Sequence, residues 1–171
     1  ITELNLDTTG ITDIGFLAGY TGLTSLSMED DPIGDFAPLR GLTGLTDLDL
    51  DGTGFSEFDM LSGFPALTKL DLGSNRLSDI SFLSAFTGLT ELNLDNSLYI
   101  QDVTPLSGLT GLTELHLLNN SISDISPLSG LTNLTTLDLG YNYLTDLTPL
   151  KGLTGLDTLS LTRNTVLADI S

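Results

Sequence analysis

Leucine-rich blocks of nearly constant length follow one another along the chain. Successive blocks start 22 residues apart, except for one step of 23 residues between Leu89 and Leu112. A fixed period of this size is typical of a solenoid, in which each unit buries its apolar side chains mainly against the units before and after it. The blocks begin at Ile1, Leu23, Leu45, Leu67, Leu89, Leu112, Leu134 and Leu156.

Each block divides into a strand half and a turn half, as residues 112–133 illustrate. In the first half, Leu115 and Leu117 alternate with Glu114 and His116. Alternation with a period of two indicates a half-buried strand. The second half contains proline and glycine, which disfavour a long regular helix and favour a short 3₁₀ turn. The strand pairs are Leu4/Leu6, Leu26/Met28, Leu48/Leu50, Leu70/Leu72, Leu92/Leu94, Leu115/Leu117, Leu137/Leu139 and Leu159/Leu161.

This pattern resembles the 22-residue class of leucine-rich repeats over the whole chain. Bacterial internalins carry that class, as does a nuclear regulator of a serine/threonine protein phosphatase. The resemblance implies an α/β repeat solenoid, a curved, right-handed horseshoe with a parallel β-sheet on its concave side and short 3₁₀ segments on its convex side.

The repeat grammar predicts one leucine-rich-repeat domain over residues 1–171, with seven full repeats and a partial eighth from residue 156. Solenoids usually carry polar caps at both ends. Here Ile1 and Leu4 at one end, and Leu159 and Ile170 at the other, predict bare apolar faces without terminal caps. Such faces favour end-to-end contacts with other subunits or continuation into a longer array.

Two polar columns are expected to support the scaffold. In the family that the pattern resembles, an inward asparagine bonds the backbone of neighbouring turns; the matching residues are Thr9, Asp31, Thr53, Asn75, Ser97, Asn120, Asn142 and Asn164. A second column precedes the convex turns, where carboxylates can cap free N–H groups. Its members are Asp13, Asp35, Glu57, Asp79, Asp102, Asp124, Asp146 and Asp169.

The one long step marks a loop after the fifth strand, where residues 97–102 hold one residue more than the matching segments of the first four repeats. Residues 164–169 show the same length after the eighth strand. We expect a bulge in both loops, with Ile100 and Leu167 restoring the core register. A tolerated loop insertion is one interpretation, and a protruding contact made by Tyr99 is the other.

The charge balance restricts the partners. The chain has 23 acidic and 5 basic residues, a net charge of -18 and a pI near 4.1. Such a surface repels nucleic acids and anionic lipids and favours cations or basic proteins. No apolar run approaches the roughly 18 residues that cross a bilayer, so no direct membrane insertion is expected. A Thr-, Asp- and Gly-rich, Lys-poor composition favours an extracellular or cell-surface location, while a cytoplasmic one stays open.

Strand residues between the core leucines are expected to point outwards and to form a protein-binding concave face. The face is acidic towards the N-terminus, which suits a basic partner, and mixed and aromatic towards the C-terminus. A plain solvated surface is the alternative interpretation. The candidate binding residues are Glu29, Asp47, Asp49, Asp51, Asp71, Glu91, Asp95, Glu114, His116, Leu118, Asp138, Tyr141, Tyr143 and Arg163.

Residues 47–52 imitate the start of a calcium-binding loop. The full loop requires glutamate at its twelfth place, and here that place is Phe58. Oxygen ligands from neighbouring strands remain a second interpretation, with calcium held by Glu29, Asp49, Asp51 and Asp71. Diffuse counterions are the default expectation, and no other cofactor or metal is predicted.

Nothing in the sequence points to catalysis. His116 is the only histidine, no cysteine exists, and a lone histidine beside one aspartate lacks the ligands of a zinc site. We therefore predict a non-catalytic protein–protein interaction module, part of a bacterial surface or secreted protein. Two alternatives remain: a structural spacer or assembly subunit that stacks through its solenoid ends, and an intracellular regulatory scaffold.

Overall fold

The computed structural model describes residues 1–164 and contains one parallel sheet. Each strand is three residues long, and the strands lie side by side in chain order. They are β1 (Glu3–Asn5), β2 (Ser25–Ser27), β3 (Asp47–Asp49), β4 (Lys69–Asp71), β5 (Glu91–Asn93), β6 (Glu114–His116), β7 (Thr136–Asp138) and β8 (Thr158–Ser160). At about 4.8 Å per strand spacing the sheet is roughly 34 Å long. The predicted solenoid is confirmed.

The sheet register follows the repeat. The central leucines are Cα partners from strand to strand, from Leu4 opposite Leu26 to Leu137 opposite Leu159. The extra residue of the fifth repeat does not disturb this order, because Leu92 still pairs with Leu115. Residues of the same column therefore stack on one another, so the columns read from the sequence are physical columns of side chains.

Short 3₁₀ helices form the opposite side, as expected from the turn halves. They are η1 (Gly15–Gly19), η2 (Ala37–Gly41), η3 (Phe58–Gly63), η4 (Ser81–Ala85), η5 (Thr104–Leu106), η6 (Ser126–Gly130) and η7 (Thr148–Gly152). Between sheet and helices runs one buried core of leucines with isoleucine, phenylalanine, valine and methionine.

Most of the capping column behaves as predicted. An aspartate Oδ1 accepts the N–H two residues ahead at 2.8 Å before six of the seven helices, from Asp13, Asp35, Asp79, Asp102, Asp124 and Asp146. The prediction is wrong at Glu57, whose longer side chain reaches Arg40 at 3.3 Å instead. Accordingly η3 begins at Phe58, directly after Glu57. Asp169 lies outside the described residues.

The predicted asparagine ladder forms completely at Asn75, Asn142 and Asn164. The Nδ2 of Asn142 donates to three carbonyls, those of Leu117, Leu139 and Gly140, and its Oδ1 accepts the N–H of Ile122. Asn75 and Asn164 make the same kind of bridge. In the first repeats Thr53 donates to Leu50, and the buried Asp31 accepts from Gly10 and Thr9.

The ladder breaks at the insertion. The Oγ of Ser97 and the Oδ1 of Asn120 are buried without a hydrogen-bond partner among the described residues. The predicted bulge is present: Leu98 has a φ of 69°, Tyr99 is exposed, and Ile100 returns to the core. The matching expectation for Leu167 lies outside the described residues.

A left-handed residue follows every strand by three positions. The residues of this column have φ between 54° and 67°, and they are Thr8, Asp30, Gly52, Ser74, Asn96, Asn119, Tyr141 and Arg163. Only glycine adopts this conformation without strain, and asparagine or aspartate tolerates it better than larger side chains do. The column therefore turns the chain out of the sheet, and Tyr141 is its bulkiest apolar member.

Candidate protein-binding face

Three columns of outward side chains make up the concave face of the sheet. Two of them are the first and last residues of each strand, and the third lies two positions after the strand end. The first column runs Glu3, Ser25, Asp47, Lys69, Glu91, Glu114, Thr136 and Thr158. The second runs Asn5, Ser27, Asp49, Asp71, Asn93, His116, Asp138 and Ser160, and the third runs Asp7, Glu29, Asp51, Gly73, Asp95, Leu118, Gly140 and Thr162.

A shallow groove of about 320 Å³ lies in the middle of this face, over β3 to β6. We call it the acidic groove. The structure brings together here six of the predicted site residues: Asp47, Asp49, Asp71, Glu91, Glu114 and His116. Lys69, which is not among the predicted site residues, also lines the groove, and its Nζ lies 2.7 Å from Oε1 of Glu91.

The second column has a structural task besides its charge. In five strands its Asp or Asn side chain accepts the N–H two residues ahead, as Asp71 does from Gly73 at 2.9 Å. The other oxygen of Asp71 accepts the Nδ2 of Asn93 at 2.8 Å. These bonds hold the carboxylates in place along the groove, and they leave the charge itself uncompensated.

Where the second column lacks an Asp or Asn acceptor, two aspartates of the third column replace it. Ser27 and His116 end their strands without such a side chain, and the preceding repeat supplies one. Asp7 accepts the N–H of Glu29 at 3.0 Å, and Asp95 accepts the N–H of Leu118 at 2.6 Å. Sequence reasoning missed this role. Its only signal is that serine or histidine in the second column follows a third-column aspartate of the repeat before.

Burial raises the pKa of several aspartates in and beside the groove. Burial, reinforced by Asp49 and Asp51, raises the pKa of Asp71 to about 7 despite its hydrogen bonds to Gly73 and Asn93. Burial also raises the pKa of Asp49 and of Asp95. A cation brought by a partner would favour ionisation, so binding of a basic group and loss of a proton are coupled here.

The four predicted calcium ligands lie near one another, since burial together with the charges of Asp49 and Asp51 raises the pKa of both Glu29 and Asp71. Within residues 1–164, no group of three or more His, Asp or Glu side chains is arranged to hold a metal ion. Asp49 and Asp71 each commit an oxygen to a backbone N–H, and Glu29 lies exposed on the neighbouring column. Calcium binding by Glu29, Asp49, Asp51 and Asp71 stays a prediction from the sequence.

The aromatic part of the predicted face lies elsewhere. Tyr141, Tyr143 and Arg163 line a separate concavity of about 220 Å³ in the loops that follow β5 to β8. It shares no residue with the acidic groove. The remaining predicted residues Glu29, Asp51, Asp95, Leu118 and Asp138 lie on the face between or beside the two concavities.

Comparison with known proteins places the chain in a family. The model for leucine-rich repeats in two copies matches residues 65–108, 110–152 and 132–171. The structure of internalin C2 from Listeria monocytogenes is 33% identical, with a TM-score of 0.79, over 95% of this chain and 81% of that one. The chain therefore belongs to the leucine-rich repeat family. Within it, the chain is internalin-like.

Two further structures share the fold. A second Listeria monocytogenes internalin, inlF, is 34% identical with a TM-score of 0.81, over 93% of this chain and 46% of that one. A leucine-rich-repeat protein from Leptospira interrogans is 25% identical with a TM-score of 0.83, over 95% and 43%. The chain thus spans less than half of these two proteins. No curated protein sequence matches it.

Leucine-rich repeat proteins of this kind typically act in protein–protein interactions and are generally not enzymes. Across the part of the chain that the structure describes, no helix is long and apolar enough to cross a membrane.

Proposed function

We propose that the chain is a non-catalytic interaction module that binds a basic segment of a protein partner along the acidic groove. The observation that carries this proposal is the excess of carboxylates in the groove lining, where Asp47, Asp49, Asp71, Glu91 and Glu114 lie around a single lysine, Lys69. Only Lys69 and His116 bring positive or titratable nitrogen to the groove lining. Held carboxylates bind a cationic side chain without first losing much side-chain entropy, which favours affinity.

The module is further proposed to work in a bacterial surface or secreted protein. Its similarity to two Listeria internalins supports this location. Immunoblotting of culture fluid, cell wall and cytoplasm from the organism of origin tests it. Recovery in the cytoplasm alone would favour the intracellular regulatory scaffold.

Substitutions that neutralise the carboxylates test the groove without disturbing its hydrogen bonds to the backbone. In the triple variant Asp47→Asn, Asp49→Asn and Asp71→Asn, the amide oxygens still accept the N–H groups of Asp51 and Gly73. The matched control is Glu57→Gln, Asp59→Asn and Asp157→Asn, three exposed residues outside the groove with the same change in charge.

The immobilised wild-type chain is used to capture proteins from extracts, and a captured protein is purified and titrated by calorimetry. We expect the groove triple to weaken binding about tenfold or more at low salt and less at high salt, with the control unchanged. Equal affinity for both triples, or no protein retained by the wild type, would refute the proposal. The groove would then be idle, as in a structural spacer.

A further inference from the structure

The second concavity differs in chemistry from the acidic groove. We call it the edge pocket; its main lining residues are Leu98, Asn119, Ser121, Tyr141, Tyr143 and Arg163. Leu98, Tyr141 and Tyr143 are 44%, 50% and 58% exposed, so packing in the core does not explain why large side chains occupy these positions. Tyrosine, serine, asparagine and arginine are the residues that protein-binding loops of antibodies favour, because they combine rigid contact area with adaptable hydrogen bonds.

Two of these side chains sit on a strained backbone. Leu98 has a φ of 69° and Tyr141 a φ of 54°, in the region where bulky residues are disfavoured. The residues equivalent to Tyr141 in other repeats include Gly52 and Asn96, which fit that conformation better. A large side chain that is held on a strained backbone and leaves about half of its surface exposed offers apolar area for a contact outside the chain.

The floor of the edge pocket carries an unsatisfied group. Asn120 lines it, is only 4% exposed, and its Oδ1 has no hydrogen-bond partner among the described residues. In the next two repeats the same oxygen of Asn142 and Asn164 accepts a backbone N–H. The repeat that precedes Asn120 is the one with the extra residue, and no N–H of that repeat donates to the Oδ1 of Asn120. The repeat with the insertion therefore both presents Leu98 and leaves a polar acceptor beneath the pocket.

The charge at this edge is reversed relative to the groove. Arg163 is the one charged residue in the pocket lining, and none of residues 1–164 forms a salt bridge with it. A partner carboxylate would find a guanidinium beside two tyrosine rings, an arrangement that suits an acidic residue next to an apolar one. A second copy of this chain is a poor occupant, because two molecules of charge -18 repel.

We propose that the edge pocket is a second docking site, which takes an apolar side chain next to an Asp or Glu from a protein partner. It rests on the proposed function in that the partner is a protein. It adds that the partner carries two kinds of charge. The partner is basic where it crosses the groove, and it is acidic and apolar where it meets the loops after β5 to β8.

A random dodecapeptide library displayed on phage provides a defined probe. Selection is done at about 0.5 M salt, where a Debye length of roughly 4 Å weakens attraction to the acidic groove. The enriched peptides are synthesised and titrated against Tyr143→Ser and Arg163→Glu. Tyr99→Ser is the matched control, because Tyr99 is about as exposed as Tyr143 and lies next to Leu98 but does not line the pocket.

We expect enriched peptides to carry an apolar residue beside Asp or Glu. Their affinity should fall about tenfold or more in Tyr143→Ser and Arg163→Glu and stay unchanged in Tyr99→Ser. Replacing the peptide carboxylate with lysine should restore binding to Arg163→Glu. No enrichment, or peptides whose binding ignores both pocket variants, would overturn the proposal. Peptides that are lost only in the groove triple would do so too, while supporting the proposed function of the groove.

Discussion

Asp95 of the fifth repeat accepts the N–H of Leu118 in the sixth, with its Oδ1 2.6 Å from the amide nitrogen. Replacing Asp95 with alanine would leave that partly buried N–H without an acceptor. We expect Asp95→Ala to lower the free energy of unfolding by about 1–3 kcal/mol in urea denaturation. Asp95→Asn retains an acceptor oxygen and should recover most of the loss. Equal losses in both variants would show that charge, and not the hydrogen bond, is what matters.

The ladder residue Asn142 should be among the most sensitive polar positions. It is buried and makes four hydrogen bonds, so truncation leaves three carbonyls and one N–H in the core with fewer partners. We expect Asn142→Ala to lower the unfolding free energy by about 2–4 kcal/mol. Asn133→Ala is the control, because exposed Asn133 makes one bond, to Thr110. A loss at Asn142 as small as the control's would contradict a ladder that stabilises the fold.

Completing the ladder at its gap should stabilise the protein. The Oγ of Ser97 is buried without a partner, whereas Asn75 in the same column donates to carbonyls of its own and the preceding repeat and accepts an N–H of the preceding repeat. We expect Ser97→Asn to raise the free energy of unfolding by about 1 kcal/mol, which would appear as a higher urea midpoint. Ser97→Ala separates the two contributions, since it only removes the unsatisfied hydroxyl. Destabilisation by asparagine would mean that the bulge leaves no room for the larger side chain.

Relief of backbone strain should appear at one tyrosine of the edge pocket and not at the other. Tyr141 has a φ of 54°, and Tyr143 is not among the residues with positive φ. We expect Tyr141→Gly to stabilise the chain by about 0.4–1 kcal/mol in thermal or urea unfolding. Tyr143→Gly should be neutral or destabilising. If both variants behave alike, strain at Tyr141 is not the reason.

The groove carboxylates should give the protein an unusual dependence on pH. The folded pKa of Asp71 is raised from 3.8 to about 7, so the folded state binds the proton more tightly than the unfolded state. Its contribution to stability is then greatest below pH 4 and is lost as pH rises towards 7, on the order of a few kcal/mol. The difference in unfolding free energy between wild type and Asp71→Asn should therefore shift against the wild type over this range.

A cap carboxylate supplies the opposite sign as a control. The N–H of Thr148 holds the pKa of Asp146 below its usual value, so its contribution is present above that value and is lost as pH falls. Replacing Asp146 with asparagine should change the profile only at acid pH. If Asp71→Asn also changes the stability profile only at acid pH, the pKa of Asp71 in the folded protein is not raised.

Much of the fold could be predicted from the sequence because the repeat leaves few choices. Strands such as β3 follow from the alternation of Asp47, Leu48 and Asp49, and a constant period stacks equal positions on one another. The acidic groove was predictable for the same reason, since its residues share columns of one sheet. The capping aspartates were predictable because they precede similar turns, and the prediction failed at Glu57, which pairs with Arg40 and lies directly before η3.

The sequence by itself thus determined the solenoid, its core and the sign of charge on its face, since these depend only on spacing and residue type. Tertiary structure decided what depends on bonds between repeats. It separated Tyr143 from the groove and made Asp95 the acceptor for the N–H of Leu118. It also left the Oδ1 of Asn120 without a hydrogen-bond partner among the described residues. Those outcomes depend on where the loops of adjacent repeats place their N–H groups and side chains relative to one another, and hydrogen bonds are sensitive to shifts of an ångström.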